Sequence, residues 1–130
     1  MERHCENAMA VAEYLEDHPD VSWVSYPGLP DHETHDLASE YLEGGYGGMI
    51  AFGLESGYDA AKRLCEETDL ATFLANIGDA RTLVVHPAST THAQLSEAEQ
   101  RAAGVAPEMV RLSVGIEDID DILADLDGVL

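Results

Sequence analysis

Positive charge is scarce in this sequence. Of 130 residues only six are Lys or Arg, and Lys62 is the one lysine, against 26 Asp and Glu. Phosphate backbones are held by clustered Lys and Arg, so this balance argues against a nucleic-acid partner. Anionic membrane surfaces are disfavoured for the same reason. No apolar run is long enough to span a bilayer, and the opening Met1-Glu2-Arg3-His4-Cys5-Glu6 lacks the character of a signal peptide. A cytoplasmic location is therefore expected. Cysteine is sparse too. Cys5 and Cys65 both fall on apolar helical faces, where buried free thiols are expected, since a disulfide would need an oxidising compartment.

What is present is a globular composition. The apolar share is 45%, enough for one domain with a single modest core. The acids do not form a tail; they alternate with core residues along the whole chain. Such a surface suits high salt, where the screening length falls to about 3 Å and like charges scarcely repel. In dilute buffer the same charges should weaken the compact state. A salt-adapted source is the expectation.

Apolar spacing of three and four residues (Cys5, Ala8, Met9, Ala12, Leu15) predicts a helix over 3–17, ended by His18-Pro19-Asp20. A strand is expected over 21–26, then the turn Pro27-Gly28-Leu29-Pro30, then a short helix over 35–42. The glycines of Gly44-Gly45-Tyr46-Gly47-Gly48 precede the strand 49–54. Phosphate loops follow a strand and open a helix, so these glycines read as a flexible turn or bulge. A third helix is predicted over 58–67 with Tyr58, Ala61, Leu64 and Cys65 inward. A strand over 82–86 follows, then a capping box Ser96-Glu97-Ala98-Glu99 opening a helix that ends at Gly104. A strand over 109–116 leads to a last helix with an inner stripe of Ile119, Ile122, Leu123 and Leu126 and an outer face of Asp118, Asp121 and Asp125. That outer face reads as solvated acid rather than a calcium loop, because it lacks alternating ligands around a central glycine. The mixture predicts an α+β domain: a small, mostly antiparallel sheet with helices packed on one face.

Arg111 is the first candidate for chemistry. In a strand over 109–116, Val110, Leu112, Val114 and Ile116 claim the core face, leaving Met109, Arg111, Ser113 and Gly115 on the other. A guanidinium is a planar, permanently charged fork that matches a carboxylate with two parallel hydrogen bonds. A structural ion pair is the competing explanation in so acidic a chain. His86 and His92, six positions apart across a proline, do not match zinc-site spacings and have no cysteine pair beside them. Loop-ordering roles are expected for both, and His4, His18, His32 and His35 read as surface residues.

Three segments carry a resemblance: Asn76-Ile77-Gly78-Asp79, His86-Pro87-Ala88-Ser89-Thr90-Thr91-His92 and Arg111-Leu112-Ser113-Val114-Gly115-Ile116-Glu117. Together they resemble the C-terminal domain of the cystathionine γ-synthase-like family, the fold-type I pyridoxal-phosphate (PLP) enzymes of cysteine and methionine metabolism. The branch they are similar to is that of the O-acetylhomoserine sulfhydrylases. The resemblance implies that Arg111 binds the α-carboxylate of an amino-acid substrate, with Asn76 and Thr82 close to the same group. Asn76 stands where many relatives have serine, which points to the sulfhydrylases rather than the cystathionine lyases. The implied reaction replaces the γ-acetoxy group of O-acetyl-L-homoserine with sulfide or methanethiol, giving homocysteine or methionine.

The resemblance also implies an upstream domain with an attachment lysine for PLP, a ring-stacking aromatic, an aspartate at the ring nitrogen and a glycine-rich phosphate site. None of these motifs occurs here, and Lys62 sits in the helical context Asp59-Ala60-Ala61-Lys62-Arg63, unlike an attachment motif. Residues 1–130 are thus expected to be a C-terminal substrate-binding domain, inactive alone. The first helix has no N-cap residue ahead of it, as if it continued from another domain. Relatives are homo-oligomers, so the missing PLP domain or a related full-length subunit is the expected partner. Cystathionine γ-synthase, methionine γ-lyase and a non-catalytic domain that only associates with a full-length subunit remain alternative assignments.

Overall fold

Alternating apolar residues place two strands at the centre of the sheet. In the computed structural model, which describes residues 1–130, these are β2 (Met49–Leu54) and β5 (Met109–Ser113), paired antiparallel with Ala51 opposite Arg111. β1 (Val21–Ser25) runs antiparallel along the free edge of β2, with an irregularity between Val21 and Trp23. β4 (Leu83–Val85) pairs antiparallel with β5, and β3 (Thr72–Phe73) lies parallel to β4. The order β1-β2-β5-β4-β3 makes a five-stranded, mostly antiparallel sheet.

Three helices cover one face. α1 (Glu2–Glu16) sends Ala8, Val11, Ala12 and Leu15 into the core, α3 (Gly57–Glu67) sends Ala61, Leu64 and Cys65, and α5 (Ile119–Asp127) sends Ile122 and Leu126. They meet Ile50, Phe52 and Leu54 of β2, Val110 and Leu112 of β5, and Val84 of β4. The strand residues of this set alternate along each strand, which is why the sheet has a helix face and an outer face. The predicted α+β arrangement is the one observed. The short α2 (His35–Tyr41) and α4 (Glu97–Ala102) lie outside that layer in sequence. α2 buries none of its residues, and α4 buries only Gln100. Leu83 and Val85 point away from Val84 and are buried on the outer side together with Ala88 and Val105.

Several local expectations need correction. β5 is regular only to Ser113: the Val114 N–H still bonds the Gly48 carbonyl in register with β2, but the Ile116 N–H turns to Ala80 on the other side, and Ile116 is half exposed and not core. Tyr58 lies on the exposed side of α3, its ring edge-on to His86 at 4.7 Å. Asp125 is no solvated acid. Its carboxylate accepts the backbone N–H groups of Asp69, Leu70 and Ala71 at 2.8, 3.1 and 2.9 Å. His4, His18, His32 and His35 are half-buried rather than surface residues, and each ring pairs through at least one nitrogen with a backbone or hydroxyl group. β3 escaped notice because two residues carry no alternation. The glycine run is a turn: Gly44, Gly45 and Gly47 take left-handed φ values of 83°, 131° and 84° just before β2. Both cysteines are free, Cys65 buried.

Candidate functional site

β5 carries Arg111 into the middle of the outer face. One row across the sheet reads Ser25, Ala51, Arg111, Val85, so the guanidinium's neighbour on the β2 side is only a methyl group. In the row above, Trp23 lies over Gly53, where any side chain would collide with the indole, and its Nε1–H donates to Glu108 at 3.2 Å. The row below holds Met49, Ser113 and Leu83.

The loop between β3 and β4 forms the wall of the site. It lines a cavity of about 360 Å³ with Ala75, Asn76, Ile77 and Arg111. A second cavity of about 310 Å³ shares Ile77 and continues past Met49, Asp79 and Ser113 to the sheet end at Gly48 and Val114. Leu74 and Ile77 are exposed apolar residues on this wall. The loop is held in shape by a fork: Arg81 donates through Nε and a terminal nitrogen to the two oxygens of Asp79 at 3.0 and 2.9 Å. Those bonds keep the Asp79 carboxyl well below the ordinary carboxylate range and raise Arg81.

Arg111 itself is half-buried and has neither a hydrogen bond nor a salt bridge. The three ion pairs of the chain use Lys62, Arg81 and Arg101, all at exposed positions. In a chain with 26 acids a structural partner would have been easy to supply. A partly desolvated cation without an acid is costly to hold, and what it presents to the cavity is a fork for a planar anion. The structural ion pair considered for Arg111 is therefore not what this side chain makes.

Of the other predicted residues, Asn76 joins Arg111. It is exposed on the cavity wall, and its Oδ1 accepts the N–H of Ile77 at 2.9 Å. Thr82 does not join them. It is fully buried, its Oγ1 donates to Glu117 Oε2 at 2.8 Å and accepts the N–H of Gly115 at 2.9 Å. With donor and acceptor both engaged inside the domain, Thr82 holds protein rather than substrate. His86 is likewise fully buried, with Nδ1 at 2.8 Å from Ser89 Oγ and Nε2 at 2.7 Å from the Pro107 carbonyl, the loop-ordering role expected for it. No cluster of three potential metal ligands exists.

Two residues were missed. Glu117 was read only as the end of a motif, yet both of its carboxylate oxygens are bonded to Thr82. Asn7 is buried and donates to the carbonyls of Gly115 and Glu117 at 3.0 and 2.9 Å. A signal for Asn7 existed: it sits four residues before Val11 on the apolar stripe of α1, where a polar side chain needs a partner.

Lys62 is exposed on α3 with its Nζ 3.9 Å from Glu66, and the glycine turn at 44–48 opens a strand, not a helix.

Comparison with known proteins adds four findings. The sequence profile of a family described as "Cys/Met metabolism PLP-dependent enzyme" matches residues 1–130. The chain is 54% identical over 129 residues to O-acetyl-L-homoserine sulfhydrylase 1 of Thermus thermophilus, covering 99% of this chain and 31% of that protein. It is 54% identical over 125 residues to the homocysteine synthase of Schizosaccharomyces pombe, covering 96% and 29%. A crystal structure from Campylobacter jejuni, described as an O-acetylhomoserine (thiol)-lyase with an N′-pyridoxyl-lysine-5′-monophosphate, superimposes with a TM-score of 0.92 at 42% identity, over 98% of this chain and 30% of that one. The chain thus spans about three tenths of the length of these relatives.

Proposed function

The chain belongs to the Cys/Met metabolism PLP-dependent enzymes, and from that premise we propose that it is the substrate-carboxylate domain of an O-acetylhomoserine sulfhydrylase. The observation that carries this reading is the unpaired Arg111 facing a cavity walled by Asn76 and Ile77. In the complete enzyme the γ-acetoxy group of O-acetyl-L-homoserine is replaced by sulfide or methanethiol. The names of the Thermus and Schizosaccharomyces relatives support this branch over cystathionine γ-synthase or methionine γ-lyase.

The chain's own contribution is binding and orientation. Arg111 takes the α-carboxylate in two parallel charge-assisted bonds, and a planar fork fixes rotation where a point charge would not. Fixing the carboxylate sets the direction of the remaining bonds at Cα, which is a large part of what a positioned substrate contributes to rate. The cofactor of this family is held by residues outside this chain, so the outer face around Arg111 is completed by a PLP-binding domain or a related full-length subunit. By this reading the 130 residues alone turn over no substrate.

A titration tests the reading directly. The side-chain Nε–H of Arg111 is followed by NMR as O-acetyl-L-homoserine is added to the isotopically labelled chain, and then as its methyl ester is added. A saturable shift with the acid and none with the ester is expected. Equal responses to the two, or no response to the acid, would remove Arg111 from the carboxylate site.

A further inference from the structure

Behind Arg111 lies a buried polar junction that no part of the carboxylate-binding reading uses. Residues 115–117 are tied by six hydrogen bonds to two segments, α1 and residues 80–82. Asn7 of α1 donates to the Gly115 and Glu117 carbonyls at 3.0 and 2.9 Å. The Ile116 N–H donates to the Ala80 carbonyl at 2.9 Å. The Glu117 carboxylate accepts the Thr82 N–H at 2.6 Å and the Thr82 hydroxyl at 2.8 Å, and that hydroxyl in turn accepts the Gly115 N–H at 2.9 Å. Gly115 has no room for a side chain: a Cβ would fall on the backbone of Ala80 and Arg81 and on Glu117.

From this we infer that Glu117, acting through Thr82, is a positioning residue that sets the spacing between Arg111 and the Asn76 wall. The inference rests on the carboxylate-binding reading of Arg111. The Asn76 loop leaves the sheet at Leu74, whose N–H is held by the Val84 carbonyl at 3.2 Å, and returns to it at Thr82. At that end the Thr82 carbonyl accepts the Thr72 N–H at 2.9 Å, while the Thr82 N–H and hydroxyl, which face away from β3, are held by Glu117. Arg111 lies four residues before Gly115 on the same stretch of chain, so the clamp fixes both walls of the cavity against each other. An apolar contact would hold the two segments together without fixing their register. A network in which every donor has one acceptor permits a single arrangement.

The titration with O-acetyl-L-homoserine decides the matter on the chain as it stands. Thr82→Val keeps the backbone N–H but removes the hydroxyl from both Glu117 and Gly115; Thr82→Ser keeps the hydroxyl. The affinity read at Arg111 is expected to fall at least tenfold in Thr82→Val and in Glu117→Gln and to stay within twofold in Thr82→Ser, while amide shifts of β1 and β2 remain those of the unaltered chain. Full affinity in folded Thr82→Val and Glu117→Gln would overturn the inference and leave the Arg111 reading intact. If the unaltered chain itself gives no response, the Arg111 reading falls and the inference falls with it. Should the Val and Gln variants fail to fold, Asn7→Ser applies the same test from α1, with the same tenfold loss expected and full affinity overturning the proposal.

Discussion

Arg111 and Thr82 show what single residues in this sequence reveal and what they conceal. Alternation around Arg111 was enough to place it opposite Val110 and Leu112, because a buried strand face leaves no choice for the odd residues. Thr82 was assigned to the substrate because its neighbourhood was right, but its hydroxyl turns inward to Glu117 and Gly115. Strand patterning says which face a side chain takes, and not which partner fills its bonds. Gly115 gives a sharp test of that inward packing. Gly115→Ala should destabilise the chain by about 1–3 kcal/mol, the cost of overpacking a filled site, visible as a lower midpoint in urea unfolding. An unchanged midpoint would mean that the backbone at Ala80 and Arg81 has room to move, and that the junction is looser than its geometry implies.

At the scale of elements, the helices and the two central strands were legible in the sequence because each repeats its pattern over several residues. β3 was not, since Thr72 and Phe73 owe their pairing to β4 and not to their own character. The end of β5 was overrun for a related reason. The apolar alternation persists to Ile116, but Gly115 and the bond from Ile116 to Ala80 take the chain out of the sheet. The acidic face of α5 was also misread, since a carboxylate's position on a helical wheel does not disclose a loop arriving from elsewhere. Asp125 joins α5 to the loop after α3 by accepting three backbone N–H groups. Replacing it with alanine leaves those donors without a protein partner and is expected to cost about 1–3 kcal/mol. Amide exchange at Asp69, Leu70 and Ala71 should accelerate more than at β2; equal protection in the variant would contradict the tie.

For the molecule as a whole, charge and burial set the response to solvent. Burial pushes the Cys65 thiol from 9.0 up to about 12, and burial first among several causes pushes Tyr14 and Tyr26 from 10.0 to about 12. In each case the folded state keeps a proton that the unfolded chain gives up at lower pH. Their contribution to stability is therefore complete below about pH 9 and is lost as pH rises toward 12. The urea midpoint should fall steadily across that window, and Cys65→Ala should flatten its lower part; a midpoint that holds constant from pH 8 to 11 would contradict the burial of these groups. The formal charge of −20, relieved by only three exposed ion pairs, supports our proposal of a salt-adapted surface. Unfolding midpoints should rise from dilute buffer to molar KCl, where the screening length shrinks from about 30 Å to about 3 Å. A flat or falling midpoint would remove that proposal.

The most direct measurement sets this chain within a complete relative. The chain replaces the matching three tenths of the Thermus O-acetyl-L-homoserine sulfhydrylase 1, and homocysteine formation from O-acetyl-L-homoserine and sulfide is followed in the chimaera and in its Arg111→Lys variant. Turnover by the chimaera is expected, with kcat/KM reduced roughly 10- to 1,000-fold in Arg111→Lys because an ammonium cannot reproduce the two-bond fork. An active chimaera whose lysine variant is equally fast would contradict the role given to Arg111.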